Sequence, residues 1–260
     1  MIELCKRVRK DVAKISHASG HGHLPSCFSV VELVASVYEH MNHFPDNPEA
    51  PERDIFILSK GHAALGLYCV LAANGYFAVE DVYSFGSFGS TFGCHADRQK
   101  IPGIEASTGS LGHGIGLAIG VALGARIRNS GQNVYVLIGD GESNEGAVWE
   151  ALLVSESLNL SNLTILYDDN RSHSRGLQIG NPSAKLKAFG CQVHEVNGHD
   201  TNAIAQALAA PTETPKAIIG KTIKGFGSQL LADNQHEWHR KSPDDAQLAT
   251  ILGEIDATSI

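Results

Sequence analysis

The stretch "VLIGDGESNEG" (136–146) runs apolar and then stops at Gly139, Asp140 and Gly141. An aspartate between two glycines offers a hard oxygen to Mg²⁺, Ca²⁺ or Mn²⁺, and the glycines let the backbone approach a ligand closely or turn through positive φ. A second apolar run, "LTILYDDN" (163–170), ends about thirty residues later in Asp168, Asp169 and Asn170. If the two runs are neighbouring strands, Asp140 and Asn170 reach one cation. Magnesium keeps few protein ligands and completes its octahedron with water and phosphate oxygens, so one carboxylate and one amide suit it beside a diphosphate. Read singly, Gly-Asp-Gly is an ordinary turn and the Asp-Asp-Asn cluster a helix cap.

The elements that must position these groups alternate along the chain. Apolar residues at helical spacing occupy "SVVELVASVYEHM" (29–41), "HAALGLYCVLAANG" (62–75) and "WEALLVSESLNL" (149–160). Between and beyond them lie extended runs, "DIFILS", "NVYVLIGDG", "LTILYDDN", "CQVHEVNG" and "KAIIGKTI". Their near-continuous apolar character suits strands buried on both faces, and the helical spacers suit right-handed crossovers. The expected fold is therefore α/β, a parallel β-sheet flanked by helices. Ligands of such sheets bind beyond the carboxyl ends of the strands, where Gly-Asp-Gly sits. Two stretches, 85–109 and "KGFGSQLLADNQHEWHRKSP" (224–243), show no clear period, and irregular segments that long in a compact domain are usually functional.

Bulk properties narrow the classes. With 260 residues, 43% hydrophobic and 18% charged, the chain reads as one globular domain, 1–260, with N- and C-terminal extensions. A formal net charge of −8 supplies no basic face for nucleic acid. The N-terminus, "MIELCKRVRKDVAK", has no apolar signal region and no stretch approaches membrane-spanning length, so a cytoplasmic location is expected. Five scattered cysteines without a CxxC pair suggest neither a disulfide framework nor a thiolate zinc site.

Gly-Asp-Gly followed about thirty residues later by asparagine resembles the signature of thiamin diphosphate-dependent enzymes. The surrounding text resembles the transketolase family: "SGH" (19–21), "ERDIFILSKGHAALGLY" (52–68), "IPGIEASTGSLGHGIGLAIGVALGAR" (101–126), "GDGESNEGAVWEA", "VNGHD" (196–200) and "KTIKGFGS" (221–228) follow in that family's order. The resemblance implies the thiamin diphosphate-binding fold in its diphosphate-binding domain. Thiamin diphosphate and Mg²⁺ would be its cofactors, with Asp140, Asn170 and the Ser172 carbonyl on the metal. Gly139 and Gly141 would lie against the diphosphate, and Gly109, Leu111 and Gly112 along the cofactor. His21, His62, His95 and His239 match channel histidines that contact substrate or diphosphate, with His62 and His239 also on the cofactor. "NQHEWHRKSP" leaves His236 as the alternative to His239. Glu145 and Glu150 match acids at the family's dimer interface; without the resemblance they are first-turn acids favoured by a helix dipole.

The implied reaction moves a two-carbon ketol unit from a ketose, phosphorylated or sulfonated, to an aldose. The family's pyrimidine-binding domain has no counterpart in this sequence, which implies either a fragment or, as the last helical run "DDAQLATILGEI" favours, a split enzyme whose C-terminal subunit carries it, in an α2β2 assembly. Two departures stand out. After "SGH", where the family continues with a Pro or small residue and glycine, this chain introduces His23. After Asn170, where glycine is common, it has Arg171, followed by His173 and Arg175, read as an exposed polar loop. Three rivals are a zinc hydrolase using His17, His21 and His23, a noncatalytic scaffold subunit, and a 2-oxoacid dehydrogenase subunit.

Overall fold

The computed structural model describes residues 1–258, apart from the side chains of His173 and Arg175. Five strands, β1 (Ile55–Leu58), β2 (Val134–Gly139), β3 (Leu163–Asp169), β4 (Gln192–Asn197) and β5 (Lys216–Lys221), form one parallel sheet in the order β1-β2-β3-β5-β4. Each coincides with one of the five extended runs. The strands with continuous apolar sequence, β1 and β2, are buried at every residue, whereas β4, "QVHEVN", is only partly buried at the sheet edge.

Alternate residues of the strands feed two cores. Phe56, Leu58, Tyr135, Leu137, Leu166 and Ile218 face one side, packed under α1 (Ile2–Ser19), α2 (Leu24–Phe28), α3 (Val31–His40) and α4 (Ala64–Ala73). Residues of α8 (Thr201–Ala209), α9 (Gln229–Asp233) and α10 (Asp245–Ala257) join that layer. Ile57, Val136, Ile138, Ile165 and Tyr167 face the other, under α5 (His113–Arg128), α6 (Gly146–Leu158) and α7 (Pro182–Ala188). The period-2 alternation of a strand thus divides one sequence between two helical layers.

The helical expectations fall on α3, α4 and α6. The segment 85–112 forms neither helix nor strand. The N-terminal 18-residue α1 was not singled out, because its charged residues obscure the stripe Cys5, Val8, Val12, Ala13 and Ile15 that it buries. No helix among the described residues is long and apolar enough to cross a membrane.

Connections from β1 and β5 leave toward the first layer and those from β2 and β3 toward the second, so a crevice opens between them at the carboxyl ends. Beneath the first layer lies a buried array. Arg9 donates to both oxygens of Glu32 at 2.5 and 2.6 Å, and His199 Nδ1 donates to Glu32 Oε2 at 2.9 Å. His199 Nε2 accepts the Ile223 N–H at 2.9 Å, so the neighbours fix this tautomer. The "VNGHD" motif therefore ties the chain after β5 to α1 and α3. Burial pushes the Glu32 carboxyl up, but Arg9 and His199 outweigh it and hold it down at about 2, from 4.5.

Removing Glu32 strands Arg9 in the core, so Glu32→Ala is expected to lower unfolding free energy by about 3–5 kcal/mol in urea titration. Because the carboxyl is depressed, its contribution is present above pH 4.5 and is lost as pH falls toward 2, which circular dichroism across that window measures.

Candidate active site

The pairing of β2 with β3 sets the site. Gly139 lies in register with Asp168, and the Asp140 N–H donates to the Asp168 carbonyl at 3.1 Å. Both apolar runs therefore end together, and Asp140 and Asn170 line one cavity of about 320 Å³. Lys60, His62, Leu111, Glu142, Ser172, Lys224, His236 and His239 complete its wall with Gly139 and Gly141. Asp140 Oδ1 accepts the Gly141 N–H at 2.6 Å, and Asn170 Oδ1 accepts the Ser172 N–H at 3.0 Å.

Two buried carboxylates brace this arrangement. Asp168 is fully buried; its Oδ2 accepts from Lys60 Nζ at 2.5 Å, Asn170 Nδ2 at 2.8 Å and Ser29 Oγ at 2.9 Å, and its Oδ1 accepts from Thr222 Oγ1. It fixes which way the Asn170 amide faces, because the Nδ2 group is engaged and the oxygen is left on the other side. Glu142 accepts from Ser59 Oγ at 2.5 Å, the Gly112 N–H at 2.9 Å and the Gly139 N–H at 3.1 Å. Burial raises its pKa against these hydrogen bonds. Glu142 thus joins "GSLGHG" to "GDG". Gly112 caps α5 at φ +81°, and a Cβ there would come within 2.7 Å of the Glu145 Cβ, so glycine is required.

The histidines divide. His62 and His239 have ring centroids 6.0 Å apart, and both line the cavity. The third ring beside them is His23, 5.8 Å from His62 and 4.9 Å from His239, and the His23 backbone N–H donates to the His239 carbonyl at 3.0 Å. His21 stands apart: Nε2 donates to the Gly86 carbonyl at 3.2 Å and its ring packs edge-on to Phe85. Between them Gly22 closes on Arg240, where a Cβ would meet the backbone at 2.4 Å. His23 itself takes φ +71°, uncommon for a residue with a side chain. His236 also lines the cavity, and His239 joins the ring cluster with His23 and His62. His95 is exposed, with its ring against Gly109, where a Cβ would come within 3.1 Å of it.

Burial, then the Lys60 charge, holds His62 down at about 2; burial, then His239, holds His23 at about 4. Burial also lowers His239. The trio is therefore neutral at physiological pH, able to accept or donate a hydrogen bond without adding charge. Glu145 and Glu150 are exposed at the start of α6, outside the cavity. The histidines of "HASGHGH" go to separate partners, with His17 Nδ1 donating to the Pro243 carbonyl at 2.9 Å, so they do not converge as zinc ligands. No cluster of three or more His, Cys, Asp or Glu poised for a metal occurs among the described residues. Arg171 sits at φ +59°, which explains why glycine suits the position after Asn170; the His173 and Arg175 side chains lie outside the described residues.

A family model for "Transketolase, thiamine diphosphate binding domain" matches residues 3–253. The chain belongs to this family. It is 37% identical to one of the subunits of the apulose-4-phosphate transketolase of Actinobacillus succinogenes, over 95% of this chain and 92% of that one. It is 36% identical to the 6-deoxy-6-sulfo-D-fructose transketolase subunit SqwG of a Clostridium species, over 81% and 80%. The solved transketolase of Campylobacter jejuni superposes with a TM-score of 0.91 at 28% identity, covering 98% of this chain but 42% of that one. The parallel sheet expected from sequence is therefore the transketolase thiamin diphosphate-binding fold.

Sequence reasoning singled out neither Lys60, Glu142 and Lys224 nor the bracing role of Asp168. A usable signal existed: "SKGH" and "KTIK" place lysines directly after apolar strands, where a buried charge demands a partner. Lys60→Met leaves the Asp168 carboxylate without its cation, and is expected to lower stability by about 3–5 kcal/mol in urea titration.

Proposed function

We propose that this chain is the N-terminal subunit of a two-component transketolase, one diphosphate-binding domain spanning 1–260. It would transfer a two-carbon ketol unit from a phosphorylated or sulfonated ketose to an aldose. The observation that carries this is the convergence of Asp140, Asn170 and a neutral imidazole trio on one cavity at the carboxyl ends of β2 and β3. Support comes from relatives similar over most of both chains, which are named as subunits of sugar-phosphate and sulfo-sugar transketolases.

The donor set suits thiamin diphosphate with Mg²⁺. Asp140 and Asn170 supply one carboxylate and one amide oxygen, and the Ser172 carbonyl a third ligand. Gly139 and Gly141 have no side chains to bar a diphosphate, and Gly109, Leu111 and Gly112 border its path. When bound, the cofactor supplies the carbon nucleophile and the electron sink for cleaving a carbon–carbon bond beside a carbonyl. The chain's residues do the rest. His62 and His239, with His23 beside them, exchange hydrogen bonds and protons with sugar hydroxyls, and their low pKa values keep them in the accepting form. His95, on the 85–109 segment, and His21, whose ring packs on Phe85 and donates to the Gly86 carbonyl, would border the route. Glu145 and Glu150 lie where a second chain can meet them.

The chain is similar to 92% of the length of a relative named as a transketolase subunit, and a C-terminal partner subunit would supply the pyrimidine-binding domain, in an α2β2 assembly inside the cytoplasm. Calorimetric titration of thiamin diphosphate with Mg²⁺ is expected to show weak binding to this chain alone. Tight binding is expected once a chain resembling the remaining part of transketolases is added, and Asp140→Ala should abolish it. Absence of binding in the mixture would leave a scaffold subunit instead.

A further inference from the structure

The segment 237–243 borders the cavity through His239 and carries two adjacent cations with different fates. Lys241 donates to Glu237 Oε1 at 2.9 Å, and its ammonium lies 4.6 Å from the centroid of the Trp238 ring. Arg240 is exposed, and its guanidinium enters no hydrogen bond or ion pair among the described residues. A guanidinium is a planar fork of donors, and its best partners are the paired oxygens of an oxyanion.

The backbone that carries Arg240 is fixed. The His23 backbone N–H donates to the His239 carbonyl at 3.0 Å, Ser242 Oγ to the Ser16 carbonyl at 2.7 Å and His17 Nδ1 to the Pro243 carbonyl at 2.9 Å. Gly22 packs so closely that a Cβ there would meet the Arg240 carbonyl carbon at 2.4 Å. These contacts fasten 239–243 to the end of α1 and the "SGHGH" turn, so Arg240 stands on a rigid rim.

Its place relative to the imidazoles follows from which rings feel its charge. Burial, then Lys224 and Arg240, lower His239; burial, then His239, His95 and Arg240, lower His23. On His62, burial is followed by Lys60, which also acts on His239. Arg240 therefore lies at the His23 end of the cluster and Lys60, beside the strand ends, at the His62 end. A ketose with an anionic tail has its carbonyl near one end and its charge at the other. With the carbonyl held over the ends of β2 and β3, its hydroxyls pass the neutral rings and its charged end reaches the side on which Arg240 stands.

We propose that Arg240 contacts the terminal oxyanion of the ketose donor, phosphate or sulfonate, and makes this subunit select charged sugars. This rests on the transketolase reading above. It gives the rim after His239 a share in choosing the donor, and it accounts for the contrast between the two neighbouring cations: Lys241 is held by Glu237 and Trp238, while Arg240 is left open beside the imidazoles.

The test is steady-state kinetics of this chain assembled with the C-terminal partner chain, comparing wild type, Arg240→Ala and Arg240→Lys. The donors are D-fructose 6-phosphate, 6-deoxy-6-sulfo-D-fructose and uncharged D-fructose, and thiamin diphosphate affinity is measured alongside. Arg240→Ala is expected to raise KM about 5- to 30-fold for the charged donors the wild-type enzyme uses, the range for losing a charge-assisted contact at a partly solvated position. Its kcat, its use of fructose and its cofactor affinity should stay as in wild type, and Arg240→Lys should recover part of the KM by keeping the charge without the fork. A phosphate-only or sulfonate-only effect says which oxyanion the site takes. Unchanged KM for both charged donors overturns the proposal and leaves the transketolase reading standing. So does an equal loss with fructose, or a fall in kcat together with cofactor affinity, since either marks a structural effect on His239. If the assembled wild-type enzyme turns over neither charged donor, the donor class proposed above falls and this proposal with it.

Discussion

The carboxylate of Asp168 is the constraint on which the site depends. It has no exposure to water, and four donors from separate parts of the chain converge on it: Ser29 between α2 and α3, Lys60 after β1, Asn170 after β3 and Thr222 after β5. In a low-dielectric interior such an array holds only if it is fully satisfied, since any missing partner leaves an expensive charge behind. Glu142 does the same for the end of β2 and the loop before α5. Together the two acids gather the ends of four strands into one rigid rim. The groups facing the cavity are thereby fixed before any ligand arrives, which is what a site that positions rather than reshapes its ligand requires.

That rim also sorts charge. Of the bracing acids, Asp168 is buried behind the wall beside Lys60, and Glu142, in the wall itself, is covered by Ser59 and backbone N–H groups. Asp140, Asn170 and Lys224 look inward, together with imidazoles that desolvation and neighbouring cations keep neutral. The wall thus combines carboxylate and amide oxygens, ammonium groups and neutral imidazoles. A histidine cluster protonated at neutral pH would repel a divalent cation and offer no acceptor to a sugar hydroxyl. Burial of the rings therefore sets their protonation state.

Much of this was legible in the residues. Five extended runs became five parallel strands; continuous hydrophobicity at strand length suits a doubly covered sheet in β1, β2, β3 and β5, while β4 is a partly buried edge. The joint ending of two such runs in Gly-Asp-Gly and Asp-Asp-Asn located the cavity. Other features depend on tertiary geometry that no local pattern encodes. Which histidine of "SGHGH" meets His62 turns on the left-handed bend at His23 and the close approach of Gly22 to Arg240, both set by a segment more than two hundred residues away. Lys60 and Lys224 both follow apolar strands, and only their neighbours show that Lys60 pairs with Asp168 while Lys224 lines the cavity. The helix α1 was hidden because its polar face is more conspicuous in sequence than its buried stripe.

The central claim is that Asp140 and Asn170 form a preassembled cation site at the paired ends of β2 and β3. The most direct measurement is a crystal structure of the chain grown with thiamin diphosphate and Mn²⁺ in place of Mg²⁺, with an anomalous difference map at the manganese edge. The account predicts one strong peak coordinated by Asp140, Asn170 and the Ser172 carbonyl, with strand ends and bracing carboxylates unmoved. A peak elsewhere, or none while the diphosphate is bound, would contradict it.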